Sequence, residues 1–520
     1  MEQTLIGPEI QFLTLLTIAA LISVVVKYVR LPYTIALVIG GLFVGLTGIG
    51  PYRLTQEMIL FAFLPPLLFE GAIHFEISDL KRNMRTIAVL ALPGLLIAGF
   101  MAGFLLQQLT GLPFIVALLV GVMITPTDPI SVLALFKKLG VSKRLSMIVE
   151  GESVFNDGTG IVLYGVIVGI ITSGTFSMGA SVLLFLKVVI GGLMVGIIAG
   201  QVAFMFLKKL DDHVLEVLIT IILAFGSFMI AEHTLHVSGV MAVVAAGVLI
   251  GNQGIRHAMS PTTRIAIKNF WEIAAFIINS LIFLMIGTQI DPGELFLIWP
   301  SMLAAFLIVV AARAIGCYPM LGLLNLAGER IPMRWTHAIN WGGIHGSIPI
   351  ALALGLPDIP QRDFIVSLVF GVVFLSLTVQ GLTMSPLIRF LGLAGRDERD
   401  ELYERAVART VIINRSLEDL KKKRVEGRVS PATATRLTYE LEEELKNVGE
   451  EIAELETTPE VMTSRELMLR RSLLMLQKST LTELLMGGEI SHDNAEELAR
   501  QLDHDLEELE GRIEVEGNDE

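Results

Sequence analysis

The sequence predicts an all-α polytopic membrane protein carrying a helical, acidic C-terminal domain. Three observations point there. The 520 residues are 53% hydrophobic and 18% charged, with a mean hydropathy of +0.67, far too apolar for a soluble chain of this length. Long apolar runs recur along the first three quarters, each near the roughly 20 residues that a helix needs to cross about 30 Å of hydrocarbon. The net charge of −13 belongs to the end of the chain. Residues 391–520 hold about 18 basic and about 32 acidic side chains. We therefore assign residues 1–392 to a transmembrane domain and 393–520 to an acidic tail.

These features exclude several classes. A membrane β-barrel would show short alternating segments instead. An acidic tail repels phosphate, which argues against a nucleic-acid partner. Residues Met1 to Ile10 carry no basic cluster and no small-residue cleavage site follows, so the first run reads as a retained span. The single cysteine, Cys317, lies in an apolar run and rules out a disulfide framework. No nucleotide fingerprint and no His/Cys cluster of zinc spacing occurs, so neither enzyme chemistry nor a cofactor is expected.

About thirteen spans follow in order. They lie near 10–28, 32–47, 57–75, 86–108, 112–136, 146–172, 178–207, 213–235, 237–253, 269–290, 296–325, 335–355 and 363–390. The second is short enough to be partly re-entrant. Basic residues gather in alternate connections: Lys81, Arg82 and Arg85; Lys137, Lys138, Lys143 and Arg144; Lys208 and Lys209; Arg256, Arg264 and Lys268; Arg330 and Arg334. The intervening turns, such as TSGTF and QIDPGE, lack them. The positive-inside rule then puts the N-terminus outside and the tail in the cytoplasm of a cell membrane, which needs an odd number of spans.

Two spans carry interruptions. The fifth contains TPTDP, where Pro126 and Pro129 each lack an N–H and obstruct the preceding turn. The twelfth reads HAINWGGIHGSIPIALALG, weakened by Gly342, Gly343 and Gly346 and broken, on this reading, at Pro349. Unwound backbone at membrane depth survives only inside protein or beside an aqueous cavity. An odd shift of seven spans separates the two, so spans 1–6 and 8–13 read as inverted six-helix repeats. Broken helices in equivalent positions of such repeats point to an ion site.

Charges within the spans are costly, by about 2.5–3.5 kcal/mol on insertion scales, and are therefore functional candidates. Asp128 sits in the first break, Glu152 and Asp157 in span six, Glu70 at the end of FLPPLLFE, and Arg313 deep in span eleven. Glu152 shares a helix stripe with Asn156, and Ser153 shares the adjacent one with Asp157. Glu152 and Asp157 lie about 140° apart around the axis, so both cannot serve one small ion equally. Ser153 and Asp157 are therefore expected to face Thr127 and Asp128, with Glu152 paired to Arg313 as a structural fixture. Two carboxylates, hydroxyls and freed carbonyls suit a hard monovalent cation. A carboxylate that gives up the cation can take a proton, and one site serving either in turn is all that exchange requires.

Together, ITPTDPISVLALF, EGESVFNDGTGIVLYG, FLPPLLFE and NWGGIHGSIPIALAL resemble the sodium–proton exchanger family on its NhaP-like branch. The resemblance covers the membrane domain and stops before the tail. It implies a homodimer of thirteen-helix protomers, each with a dimerisation part and a moving core, working by elevator-like alternating access. It implies that Asp157 binds the ion and the proton, with Glu70, Thr127, Asp128 and Ser153 at or near the cation. Asn156 is a structural neighbour, and Glu152 and Arg313 a structural pair. An Asn-Asp pair, as here, implies electroneutral exchange of one cation for one proton. The cation is Na+ on this reading, with Li+ or K+ as alternatives. One departure stands out: the family pattern GGLRG has an Arg where this chain has His345, a candidate for pH modulation.

Remaining polar residues have plainer readings. Glu232, His233 and His236 fall on an outer turn and read as solvated; Asn279, Ser280 and Gln380 read as interhelical hydrogen-bonding groups. The tail contains a duplication, GRVSPATATRLTYELEEEL from Gly427 and GEISHDNAEELARQLDHDL from Gly488. Ser430 and Ser491 are natural N-caps, and Pro431 suits a first helical position. The tail thus reads as a helical-hairpin bundle that regulates transport in response to pH, a ligand or a protein. An ion channel and a non-transporting sensor are the rival classes.

Overall fold

The computed structural model describes residues 8–26, 28, 32–46, 54–174, 177–210, 212–254, 259, 261–395, 398–425 and 429–455, with scattered positions between 470 and 506. The chain forms two compact units, Met1–Gly395 and Arg396–Glu520. Among the described residues the secondary structure is wholly helical. Seven helices among the described residues are long and apolar enough to cross a membrane.

In the first unit, α1 (Pro8–Val26) and α2 (Tyr33–Leu46) are followed by a π-helical turn at Met58–Phe63 that feeds α3 (Leu64–His74). The short α2 is deeply packed. A side chain at Gly41 or at Gly287 would meet the opposite glycine's Cα at 2.9 and 2.8 Å, so small residues let this helix lie against its neighbour. Helices α4 (Ile77–Val89) and α5 (Leu95–Thr110) run on through a π-helical turn at Leu90–Gly94. Pro93 sits inside that turn without stopping it.

Helix α6 (Phe114–Ile124) ends where TPTDP begins, and α7 (Ile130–Leu139) resumes directly after Pro129. Gly140 then closes α7 at φ +67°, a conformation that favours glycine. Helix α8 (Lys143–Ser173) carries the acidic motif and is capped by Ser142, whose hydroxyl accepts from Leu145 N–H at 3.3 Å. Next come α9 (Met178–Leu207), α10 (His213–Met229) and α11 (Gly239–Leu249). Helix α9 leaves Leu183, Ile190, Met194, Ile197 and Ile198 exposed, apolar surface of the kind that lipid covers.

Helices α12 (Pro261–Gln289) and α13 (Pro292–Leu326) are the long ones of the second half, and α13 passes through Pro300 and Pro319 without interruption. Helix α14 (Met333–Trp341) stops at Gly342, and α15 (Ser347–Leu354) starts after Gly346. Pro349 therefore lies in the first turn of α15, where its missing N–H costs nothing. The interruption expected at Pro349 is made instead by the glycine-rich stretch before it. Helices α16 (Arg362–Leu375) and α17 (Gly381–Phe390), joined by a π-helical turn at Ser376–Gln380, complete the unit.

The second unit contains α18 (Glu398–Val425) and α19 (Pro431–Leu455). Ala406, Ile413, Leu417 and Val448 form their shared core. Arg409 pairs with Glu444 at 3.1 Å and Glu451 at 3.5 Å. Ser430 accepts from Thr433 N–H at 3.2 Å, one residue before Pro431 opens the helix. Gly427, Gly488 and Ser491 lie outside the described residues, as does most of the second copy of the duplication.

Candidate functional site

Helix breaks expose backbone groups that need partners, and the two breaks supply one another. Asp128 N–H, in the first, donates to the Ile344 carbonyl, in the second, at 2.7 Å. Asp128 Oδ1 accepts from Ile130 N–H at 2.9 Å and so caps the start of α7. Gly346 lies against this aspartate: a Cβ there would collide with the Asp128 side chain.

Helix α8 holds the first break from the other side. Ser153 Oγ donates to the Thr127 carbonyl. Asn156 Nδ2 donates to Thr127 Oγ1 at 2.9 Å, and Thr127 N–H donates to Asn156 Oδ1 at 3.4 Å. Thr127, Ser153 and Asn156 are all buried. Asp157, one turn beyond Ser153, shares with Asp128 and Glu70 a cavity of about 110 Å³. The walls mix Leu64, Leu67, Leu68 and Pro126 with Thr127, Ser153, Gly346 and Ser347.

Glu152 points away from this cavity. Its Oε2 meets Arg313 Nη2 at 2.9 Å, with both residues buried. The same Nη2 donates to the Ile339 carbonyl at the end of α14, at 3.2 Å. A Cβ on Gly343 would strike the guanidinium. The arginine thus ties α8, α13 and the second break together. His345 sits in that break, buried, with its N–H donating to Ser376 Oγ at 3.0 Å and its Nδ1 2.9 Å from the same hydroxyl. Ser376 bonds Gln380 at 2.5 Å, and Gln380 Nε2 donates to the Trp341 carbonyl at 3.0 Å.

Other polar residues divide. Ser280 bonds Tyr33 across helices at 2.8 Å. Glu232, expected on a solvated turn, instead accepts from Gly239 N–H at 2.9 Å and caps α11, while His233 and His236 are exposed. Asn279 lines the cavity, and its Oδ1 has no hydrogen-bond partner among the described residues. Glu150 lines it as well. Neither has a transport role in the sequence-based assignment. The available signal for Glu150 was its spacing of seven from Asp157, which puts both on one helix face.

Interrupted helices that bond to each other beside an acidic cavity, inside an all-helical membrane bundle, define the class: the fold of the ion antiporters. It matches the structure of the sodium proton antiporter MjNhaP1 from Methanocaldococcus jannaschii with a TM-score of 0.64 and 22% identity, over 74% of this chain and 98% of that one. An electron-microscopy structure of the same antiporter matches with a TM-score of 0.62 and 23% identity, over 75% and 98% of the two chains. The chain belongs to the sodium/hydrogen exchanger family. The model of that family's transmembrane region matches residues 13–390. The Na(+)/H(+) antiporter NhaG of Bacillus atrophaeus is 36% identical over 94% of this chain and 95% of its own. ApNhaP of Aphanothece halophytica is 38% identical over 79% and 80% of the two chains. NhaP of Pseudomonas aeruginosa is 37% identical over 70% and 92%.

Proposed function

We propose that the protein exchanges Na+ for H+ across a cell membrane by alternating access, one for one, with both ions competing for Asp157. The observation that carries this reading is the cavity where Asp157 and Asp128 meet beside two mutually bonded helix breaks. Asp157, Asp128, Ser153, the Thr127 group and Glu70 supply the oxygens for the cation. Asn156 holds Thr127 in place, and the Glu152–Arg313 pair fixes the scaffold. Thirteen crossings in two inverted repeats, an outside N-terminus and a cytoplasmic tail complete the topology, and a homodimer is the working unit. Residues 1–392 are the transporting domain and 393–520 the regulatory tail. Li+ and K+ are alternative cargoes, and His345 contributes to the pH response.

Exchange rather than a channel follows from a single site that serves cation or proton in turn. Purified protein in proteoliposomes, loaded with a pH-sensitive dye and challenged with Na+, Li+ or K+, is expected to move protons against Na+. Asp157→Ala is expected to abolish this movement. Robust exchange by that variant, or cation conductance without proton counterflow in the unaltered protein, refutes the mechanism.

A further inference from the structure

The carboxylates of the membrane domain fall into two groups by what holds them. Glu152 has Arg313, Asp128 has the Ile130 N–H, and Glu232 has the Gly239 N–H. Asp157 and Glu150 have no hydrogen bond or ion pair with any described residue, and both line the same cavity. A carboxylate in apolar surroundings without a donor is costly. A visiting ligand is what such a group can serve.

Glu150 and Asp157 reach the cavity from the same helix, α8. Seven residues of α8 separate them, so they lie within about 20° of one face and roughly 10 Å apart along the axis. Glu150 is nearer the end of α8 that carries Lys143 and Arg144. Glu70 lines the same cavity and is itself 3.6 Å from His74 on α3. Four carboxylates, Glu70, Asp128, Glu150 and Asp157, thus line the one cavity. No three His, Cys, Asp or Glu side chains among the described residues converge closely enough to cage a metal ion.

We propose that Glu150 is a further cation-attracting carboxylate of the exchange, a first station for the entering monovalent cation between the Lys143–Arg144 end of α8 and Asp157. This deepens the Na+/H+ reading and rests on it. Its role is to raise cation occupancy near Asp157, since a negatively lined cleft with low-dielectric walls concentrates counter-ions. With an effective dielectric near 20 and roughly 10 Å between the charges, one carboxylate changes that occupancy about tenfold.

The test is the Na+ concentration dependence of proton movement in proteoliposomes for the full-length protein, Glu150→Gln, Glu150→Asp and Asp157→Asn. Glu150→Gln keeps the side chain's shape, and size exclusion in detergent checks its fold. The expected result is a KM for Na+ raised about tenfold in Glu150→Gln, with the maximal rate within about twofold, and a KM near the parent's in Glu150→Asp. An unchanged KM in Glu150→Gln overturns the proposal while leaving the exchange reading intact. A maximal rate lost equally in Glu150→Gln and Glu150→Asp, with KM constant, also overturns it, because that is the signature of a packing role. If the unsubstituted protein exchanges nothing, the function reading falls and this inference with it.

Discussion

Neutralising one member of the Glu152–Arg313 pair separates scaffold from ion site. Glu152 is 3% exposed and Arg313 7%, and their contact is 2.9 Å, so water screens the pair little. At an effective dielectric near 20, unit charges roughly 4 Å apart attract by about 4 kcal/mol. Removing one partner of a buried pair costs about 3–5 kcal/mol, because the other charge stays buried and uncompensated. A solvent-exposed pair would cost about 0–1 kcal/mol. Glu152→Gln is therefore expected to lower the thermal midpoint in detergent by roughly 4–6 °C, and Arg313→Met by a similar amount. The double variant removes both charges, so its loss should fall short of the sum by about 2–4 kcal/mol. The assay is heat challenge followed by the fraction remaining monodisperse on size exclusion, repeated at high salt, which screens a buried pair weakly. Additive losses, or a Glu152→Gln midpoint within about 1 °C of the parent's, refute the reasoning. Because Glu152 does not line the cavity, Glu152→Gln should still exchange ions below its lowered midpoint, the reverse of Asp157→Asn.

Three further outcomes follow. Gly346→Ala puts a methyl into the Asp128 side chain; displacing a site group by ~1 Å can cost about 10²-fold in rate, so exchange should fall steeply while the protein stays folded. Parent-like rates would show that Asp128 yields freely. His345→Gln and His345→Arg are expected to shift the activity–pH profile, and an unchanged profile in both would confine His345 to its hydrogen bonds with Ser376. Truncation after Gly395, where the first compact unit ends, should preserve exchange and alter its dependence on internal pH. Identical profiles with and without the tail would remove its regulatory role.

The order of helices was readable from the sequence because each span is a local, apolar run, and burial of hydrogen-bonded backbone in hydrocarbon leaves helix as the solution. Helical periodicity likewise set apart the faces of α8, since an angle around one axis depends on spacing alone. That periodicity already put Glu152 and Ser153 on different stripes, before Arg313 and Thr127 could be seen to meet them.

What spacing cannot supply is the identity of neighbours on other helices. Proline proved ambiguous: Pro300 and Pro319 pass inside α13, because a membrane helix re-satisfies the backbone groups they free, and Pro349 lies in the first turn of α15, where no N–H is needed. Glycine at 342–346 decided the second break, through its contacts with Arg313 and Asp128. Glu232 looked solvated until the chain returned with Gly239 N–H. The sequence by itself determined a helical membrane domain, two interruptions and the acids between them. The tertiary structure alone decided which acids receive donors and which are left facing the cavity, because hydrogen-bond donors for a buried carboxylate come from whichever helix packs beside it.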